Sequence, residues 1–147
     1  MSRTDDATSL MANSQMNCAQ AVLSAFCGEM GLDKATAFKV ALAFGAGMGR
    51  TGGICGAVTG AYMVLGLRQY PELKNPTERK EKVYALVREF NTRFTALNKS
   101  LNCTDLLGRD LSKPDGLAAA RSKKLFATIC PKLVADAVTI LEEMASI

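Results

Sequence analysis

Three observations predict an all-α fold, a single-domain helical bundle of about six to eight helices with no significant sheet. Between its glycines the chain is rich in Ala, Leu, Lys, Glu and Met, and it has no Trp, a composition that favours helices. Apolar residues recur three and four apart, most clearly at Val83, Val87, Phe90, Phe94 and Leu97. Helix-opening signals recur as well: Asn17 with Gln20, Asp33, Asn75 followed by Pro76 and Glu78, and Asn102 with Asp105.

In chain order, a short helix is expected near Thr4–Ala12, followed by Asn17–Phe26, which stops at Gly28 and Gly31. Asp33 is suited to cap Lys34–Phe44. Residues 45–53 are then too rich in glycine for a helix. A helix opened by Cys55 is expected to reach about Leu67. The long helix from Asn75-Pro76 to about Leu97 should bury one stripe, with Glu78–Lys82 and Glu89–Arg93 as i,i+4 ion pairs on its surface. A short turn follows Cys103, then helices at about Pro114–Phe126 and Pro131–Met144. In the last, Cys130 shares a stripe with Leu133, Ala137, Ile140 and Met144, which turns its thiol inward.

The 147 residues make one domain's worth, 1–147, with the glycine-rich loop inside it. The formal charge of +4 is mild and basic residues alternate with Glu, which fits a solvated surface and no nucleic-acid partner. The longest uncharged run, Thr51 to Leu67, contains several glycines and falls short of a membrane span. No secretion signal is visible, so the five cysteines suggest a reducing, cytoplasmic setting in which cysteine spacing points to metals or catalysis. With no histidine, a Cys–His nucleophile pair, His-ligated haem and Cys₂His₂ zinc are excluded.

The cysteines carry the functional signal. Cys18 follows Asn17, Cys103 follows Asn102, Cys55 opens a small-residue helix, and Cys130 precedes Pro131, which disfavours the α conformation at Cys130 and suits the first helical position itself. A thiol in a first helical turn faces unpaired N–H groups and the positive end of the dipole, which lowers its pKa. Cys27 is out of phase with Cys18 at about 100° per residue and reads as structural. Two thiolates about 4 Å apart repel by roughly 4 kcal/mol at an effective dielectric of 20, and a helix terminus returns only about 0.3–1 kcal/mol. Four clustered thiolates must therefore hold a cation, stay mostly protonated or pair as disulfides.

Other motifs have plainer readings. Gly47-x-Gly49-x-x-Gly52 has the letters of a dinucleotide fingerprint, but a helical pattern stands where that fingerprint needs a strand. Gly56-x-x-x-Gly60 makes a thin helix face for tight packing. Met48 and Met63 read as packing residues before soft ligands, and Arg50 is the best anion contact in the glycine loop.

From about Asn13 to Glu143 the chain resembles a family of small bacterial and archaeal proteins described as redox-active, defined by four cysteines and a Cys-Gly-Ala-x-x-Gly motif. That motif stands here as Cys55-Gly56-Ala57-Val58-Thr59-Gly60, with Cys18, Cys103 and Cys130 in the other positions and Cys27 outside the pattern. The resemblance implies a helical domain with a four-cysteine centre. Similar domains fused to cytochrome-like modules favour iron or electron transfer, although this chain lacks Cys-x-x-Cys-His and cannot be such a cytochrome itself.

The leading expectation is a redox or electron-transfer protein in which Cys18, Cys55, Cys103 and Cys130 hold a metal ion or iron–sulfur cluster, since thiolates suit such centres and no imidazole competes. Alternatives are thiol–disulfide exchange by the same cysteines, with Cys55 the first nucleophile, and a structural Cys₄ zinc site in a helical interaction module. The expected partner is a redox protein or small molecule, and the Val83–Leu97 stripe is a candidate self-association face.

Overall fold

The computed structural model describes residues 2–12 and 16–147; residues 13–15, where the resemblance begins, lie outside it. Among the described residues there are eight right-handed α-helices and no sheet. They are α1 (Arg3–Ala12), α2 (Cys18–Phe26), α3 (Lys34–Ala41), α4 (Gly56–Gln69), α5 (Pro76–Asn98), α6 (Cys103–Leu107), α7 (Pro114–Ser122) and α8 (Cys130–Glu143). The all-α expectation holds.

Helix α2 is the hub. A full capping box opens it: the Asn17 side chain accepts from Gln20 N at 3.0 Å, and Asn17 N donates to Gln20 Oε1 at 2.9 Å. The amides then reach outward, Asn17 Nδ2 donating to Leu42 O at 2.9 Å and Gln20 Nε2 to Phe38 O at 3.0 Å, so the cap also fixes α3. Seven of the nine residues of α2 are buried, which makes it a core helix with neighbours on nearly every side.

Its closest neighbour is α4, and the contact depends on two glycines. A Cβ at Gly60 would lie 2.8 Å from Ala19 O, and one at Gly56 would overlap Cys18 Sγ. Only missing side chains let the two backbones come this near. Gly66, farther along α4, faces open space.

The long helix α5 differs from the expected stripe. Asn75 Oδ1 accepts from Thr77 N at 2.9 Å and Glu78 N at 3.1 Å, and Pro76 occupies the first turn, as its sequence requires. The buried residues are Leu86, Phe90 and Phe94; Val83 and Val87 are half-buried, and Leu97 is 58% exposed. The buried face is thus a narrow i,i+4 row with stacked Phe90 and Phe94 rings 5.7 Å apart; Asn98 continues that row, its Nδ2 donating to Asp136 Oδ2 at 3.1 Å on α8, and Leu97 falls beside it. Arg93 pairs with Glu89 at 2.8 Å, whereas among the described residues Glu78 and Lys82 form no ion pair.

Three boundaries also move. The α geometry of α3 ends at Ala41 and tightens into a 3₁₀ turn at Leu42–Phe44. The helix expected over 114–126 breaks where Lys124 takes a left-handed φ of 56°, leaving a separate turn at Leu125–Thr128. Cys130 is itself the first residue of α8, so the expected non-helical conformation before Pro131 is not adopted. The stripe from Cys130 through Leu133, Ala137, Ile140 and Met144 is buried throughout, as expected.

Residues 45–50 are the least ordinary segment. Ala46, Gly47, Met48, Gly49 and Arg50 all have φ between 56° and 73°, so the chain makes a turn of left-handed helix instead of a loop. Each non-glycine residue there costs about 1–2 kcal/mol, and three are present. The Gly47 carbonyl holds the turn, accepting from Gly53 N at 2.9 Å, Thr51 N at 3.3 Å and Thr51 Oγ1 at 3.0 Å.

Candidate functional site

Each of the four family-pattern cysteines stands at a helix start, by a different local device. Cys18 is the first residue of α2 behind the Asn17 cap. Cys55 is the N-cap residue of α4, and Cys103 and Cys130 open α6 and α8. The capping resemblance between Asn17 and Asn102 does not extend to geometry, because the Asn102 side chain caps nothing. Its backbone does something else. A single antiparallel bridge pairs Ile54 with Asn102, with Cys55 N donating to Leu101 O at 2.7 Å and Cys103 N to Gly53 O at 2.8 Å. Cys55 and Cys103, each one residue past the bridge, are thereby held side by side although 48 positions apart in sequence.

All four thiols line one cavity of about 400 Å³. They are free and buried, each at most 8% exposed. Cys27 lies elsewhere, its thiol donating to Ser24 O at 3.6 Å, as its helical phase indicates. The rest of the wall is mainly apolar, including Leu106, Phe126 and Leu133, while Arg50 and Arg121 are exposed at its edge.

The expected thiol acidities need correction. Cys18 is drawn down to about 6, first by the hydrogen bond from the Cys55 thiol; the backbone N–H groups of Ala46, Ala19 and Cys18 help, and burial opposes. Cys55 moves well above the ordinary thiol range, because it supplies that proton and is also buried beside the Cys18 charge. Burial, followed by the charge on Cys18, pushes Cys103 to about 11. Burial and the charges on Cys18 and Cys103 push Cys130 to about 12. A helix start is therefore not sufficient to make a thiolate: desolvation outweighs it at Cys103 and Cys130, and at Cys55 the proton given to Cys18 does so first, with burial adding to it. Cys18 differs because several N–H donors converge on it, one from the left-handed turn. At neutral pH the cluster carries about one negative charge, the second of the three arrangements that repulsion permits.

The sulfurs suit a soft metal chemically, but their placement does not form a shell. Among the described residues, no three His, Cys, Asp or Glu side chains are grouped to hold an ion. Met63 packs against the core as expected, whereas Met48 is 40% exposed and does not take the expected packing role, because the left-handed turn carries it to the surface. The dinucleotide letters at Gly47, Gly49 and Gly52 follow helical segments, without the strand such a site needs. Sequence reasoning missed Arg121 and Phe126, which reach the cavity from the broken α7 region, and the Ala46 N–H. Only the alternating glycines at 45, 47 and 49 hinted at the last. No helix of the described residues is long and apolar enough to cross a membrane.

Comparison with known proteins yields no match among curated proteins and none among solved structures. A family model does match, over residues 16–144, and it spans all four cavity cysteines. The chain belongs to the family described as "Putative redox-active protein (C_GCAxxG_C_C)".

Proposed function

We propose that the protein is a thiol–disulfide redox protein in which Cys18 is the attacking thiolate and Cys55 the resolving thiol. The observation that carries this reading is the placement of the two sulfurs, Cys18 at the start of α2 and Cys55 beside it on one apolar cavity, and the directions of their pKa values, Cys18 lowered and Cys55 raised, support it. The Cys18 thiolate attacks one sulfur of a substrate disulfide, forming a mixed disulfide and expelling the first thiolate. Cys55 then loses its proton and attacks Cys18 Sγ, closing a Cys18–Cys55 disulfide and expelling the second thiolate. One departing thiolate takes the Cys55 proton and the other a proton from solvent. The substrate gains two electrons, the protein dithiol loses two, and an external dithiol restores the reduced protein.

Cys103 and Cys130, protonated at neutral pH, keep the cavity from accumulating charge that would repel an entering thiolate. The sequence-based preference for a metal or iron–sulfur centre remains the second reading, supported by four soft donors on one wall. Ligation by all four would need further deprotonations that burial opposes and a contraction of the sulfurs into a shell.

The test uses reduced protein and hydroxyethyl disulfide. Wild type should release both halves of the reagent, and Cys55→Ser should stop at a single adduct on Cys18, read by intact mass and peptide mapping. Chelator treatment should leave the wild-type rate unchanged. An adduct on another cysteine, full turnover by Cys55→Ser, or loss of activity with chelator would overturn the assignment.

A further inference from the structure

Resting on that thiol–disulfide reading, we infer that the cavity's substrate is a small disulfide with an apolar body and an anionic end, held by Arg50 and Arg121. Burial first argues for a small molecule. Cys18 is 7% exposed and Cys55 4%, so a disulfide fixed on a folded protein surface has little room to reach the attacking sulfur. A cavity of about 400 Å³ can admit a free molecule, being within the range of about 300–1,000 Å³ usual for small-ligand sites.

The wall then sets the chemistry. Met16, Leu106, Leu107, Phe126 and Leu133 surround the sulfurs with carbon, which suits an apolar body next to the S–S bond. At the rim stand two guanidinium groups from distant parts of the sequence, Arg50 from the left-handed turn and Arg121 from the last turn of α7. Among the described residues neither forms an ion pair or a side-chain hydrogen bond, and no Asp or Glu lines the cavity. Outside it, Arg3, Arg68, Arg79 and Arg93 donate to carboxylates or carbonyl oxygens, while Arg88 and Arg109 have no such partner among the described residues, so it is position at the opening that sets Arg50 and Arg121 apart. Two uncommitted guanidinium groups beside an otherwise apolar opening favour a carboxylate or phosphate at the outer end of the ligand.

Two aromatic disulfide probes separate these features: 5,5′-dithiobis(2-nitrobenzoate), which carries carboxylates, and neutral 2,2′-dithiodipyridine. With either, Cys18 Sγ bonds one probe sulfur, the probe S–S bond breaks, and an aryl thiolate leaves with the electron pair. The quantity read is the ratio of anionic to neutral rates on folded, reduced protein, divided by the same ratio for urea-unfolded protein. It should exceed one, decline with added salt, and drop on the order of tenfold in the Arg50→Gln/Arg121→Gln variant. Lys80→Gln, on α5 outside the cavity, should leave it unchanged. A ratio of one, or one insensitive to the double substitution, would overturn the anionic substrate while leaving the thiol chemistry standing. An equal drop in Lys80→Gln would also overturn it, by tracing the preference to net charge. If Cys18 reacts with neither probe, the redox reading fails and this inference with it.

Discussion

Cys18 Sγ sits beside the Cys55 thiol and directly over Gly56, where even one methyl group would overlap it. Helix packing and thiol chemistry therefore meet at a single contact. The α2–α4 approach that Gly56 and Gly60 permit is also what places the proton donor next to the attacking sulfur.

Substitution at those glycines should separate the two effects. Gly60→Ala meets the Ala19 carbonyl and should cost about 1–3 kcal/mol of stability. Gly56→Ala should cost a similar amount and also displace Cys18 Sγ, raising the pH at which Cys18 alkylates. Gly66→Ala, with open space around it, should be neutral or stabilising by up to about 1 kcal/mol. Urea melts and alkylation profiles of the three variants check this ordering.

The thiols also fix a pH dependence. Cys18 has a lowered folded-state pKa, so its stabilisation is fully present above the unfolded thiol value and is lost as pH falls through about 6. Cys103 and Cys130 have raised values, so theirs is fully present below the unfolded value and is lost as pH rises through about 11 and 12. The thiol contribution to the urea midpoint of reduced protein should climb from pH 6 toward about 8.5 and then decline. Cys18→Ser should remove the climb and keep the alkaline decline. A flat profile in wild type would contradict the thiol assignments.

The left-handed turn makes a third prediction. Ala46 sits at φ 56°, and its N–H helps hold the Cys18 charge. Ala46→Gly should relieve steric strain, offset in part by chain entropy, for a net change between zero and about 1 kcal/mol stabilising. Ala46→Val should destabilise, because a β-branched residue is a genuine outlier at positive φ. Thermal denaturation of both variants is the check.

Much of this was legible in the chain. Local signals carried the helix starts: Asn17 with Gln20, and Asn75 with Pro76, fold as their side chains dictate. The role of Gly60 was legible too, since a small-residue face has few uses besides close approach. What sequence could not rank was the competition at each thiol. Every helix start offers a similar dipole, but the desolvation of Cys55, Cys103 and Cys130 depends on what α2, α4 and α8 bury around them. The stripe of α5 is narrower than its 4, 3, 4, 3 spacing implies: the packed row is Leu86, Phe90 and Phe94, continued by the Asn98 contact to Asp136, and Leu97 lies beside that row in solvent.

If Cys18 attacks and Cys55 resolves, the first disulfide formed on oxidation joins those two sulfurs, which disulfide mapping reads. Reduced protein is treated with one equivalent of a two-electron thiol oxidant at pH 7, quenched by acid, and digested after the remaining thiols are blocked. A Cys18–Cys55 bond is expected as the first and dominant product, with Cys27, Cys103 and Cys130 recovered as blocked thiols. A first bond between Cys103 and Cys130, or between Cys18 and either of them, would contradict those roles.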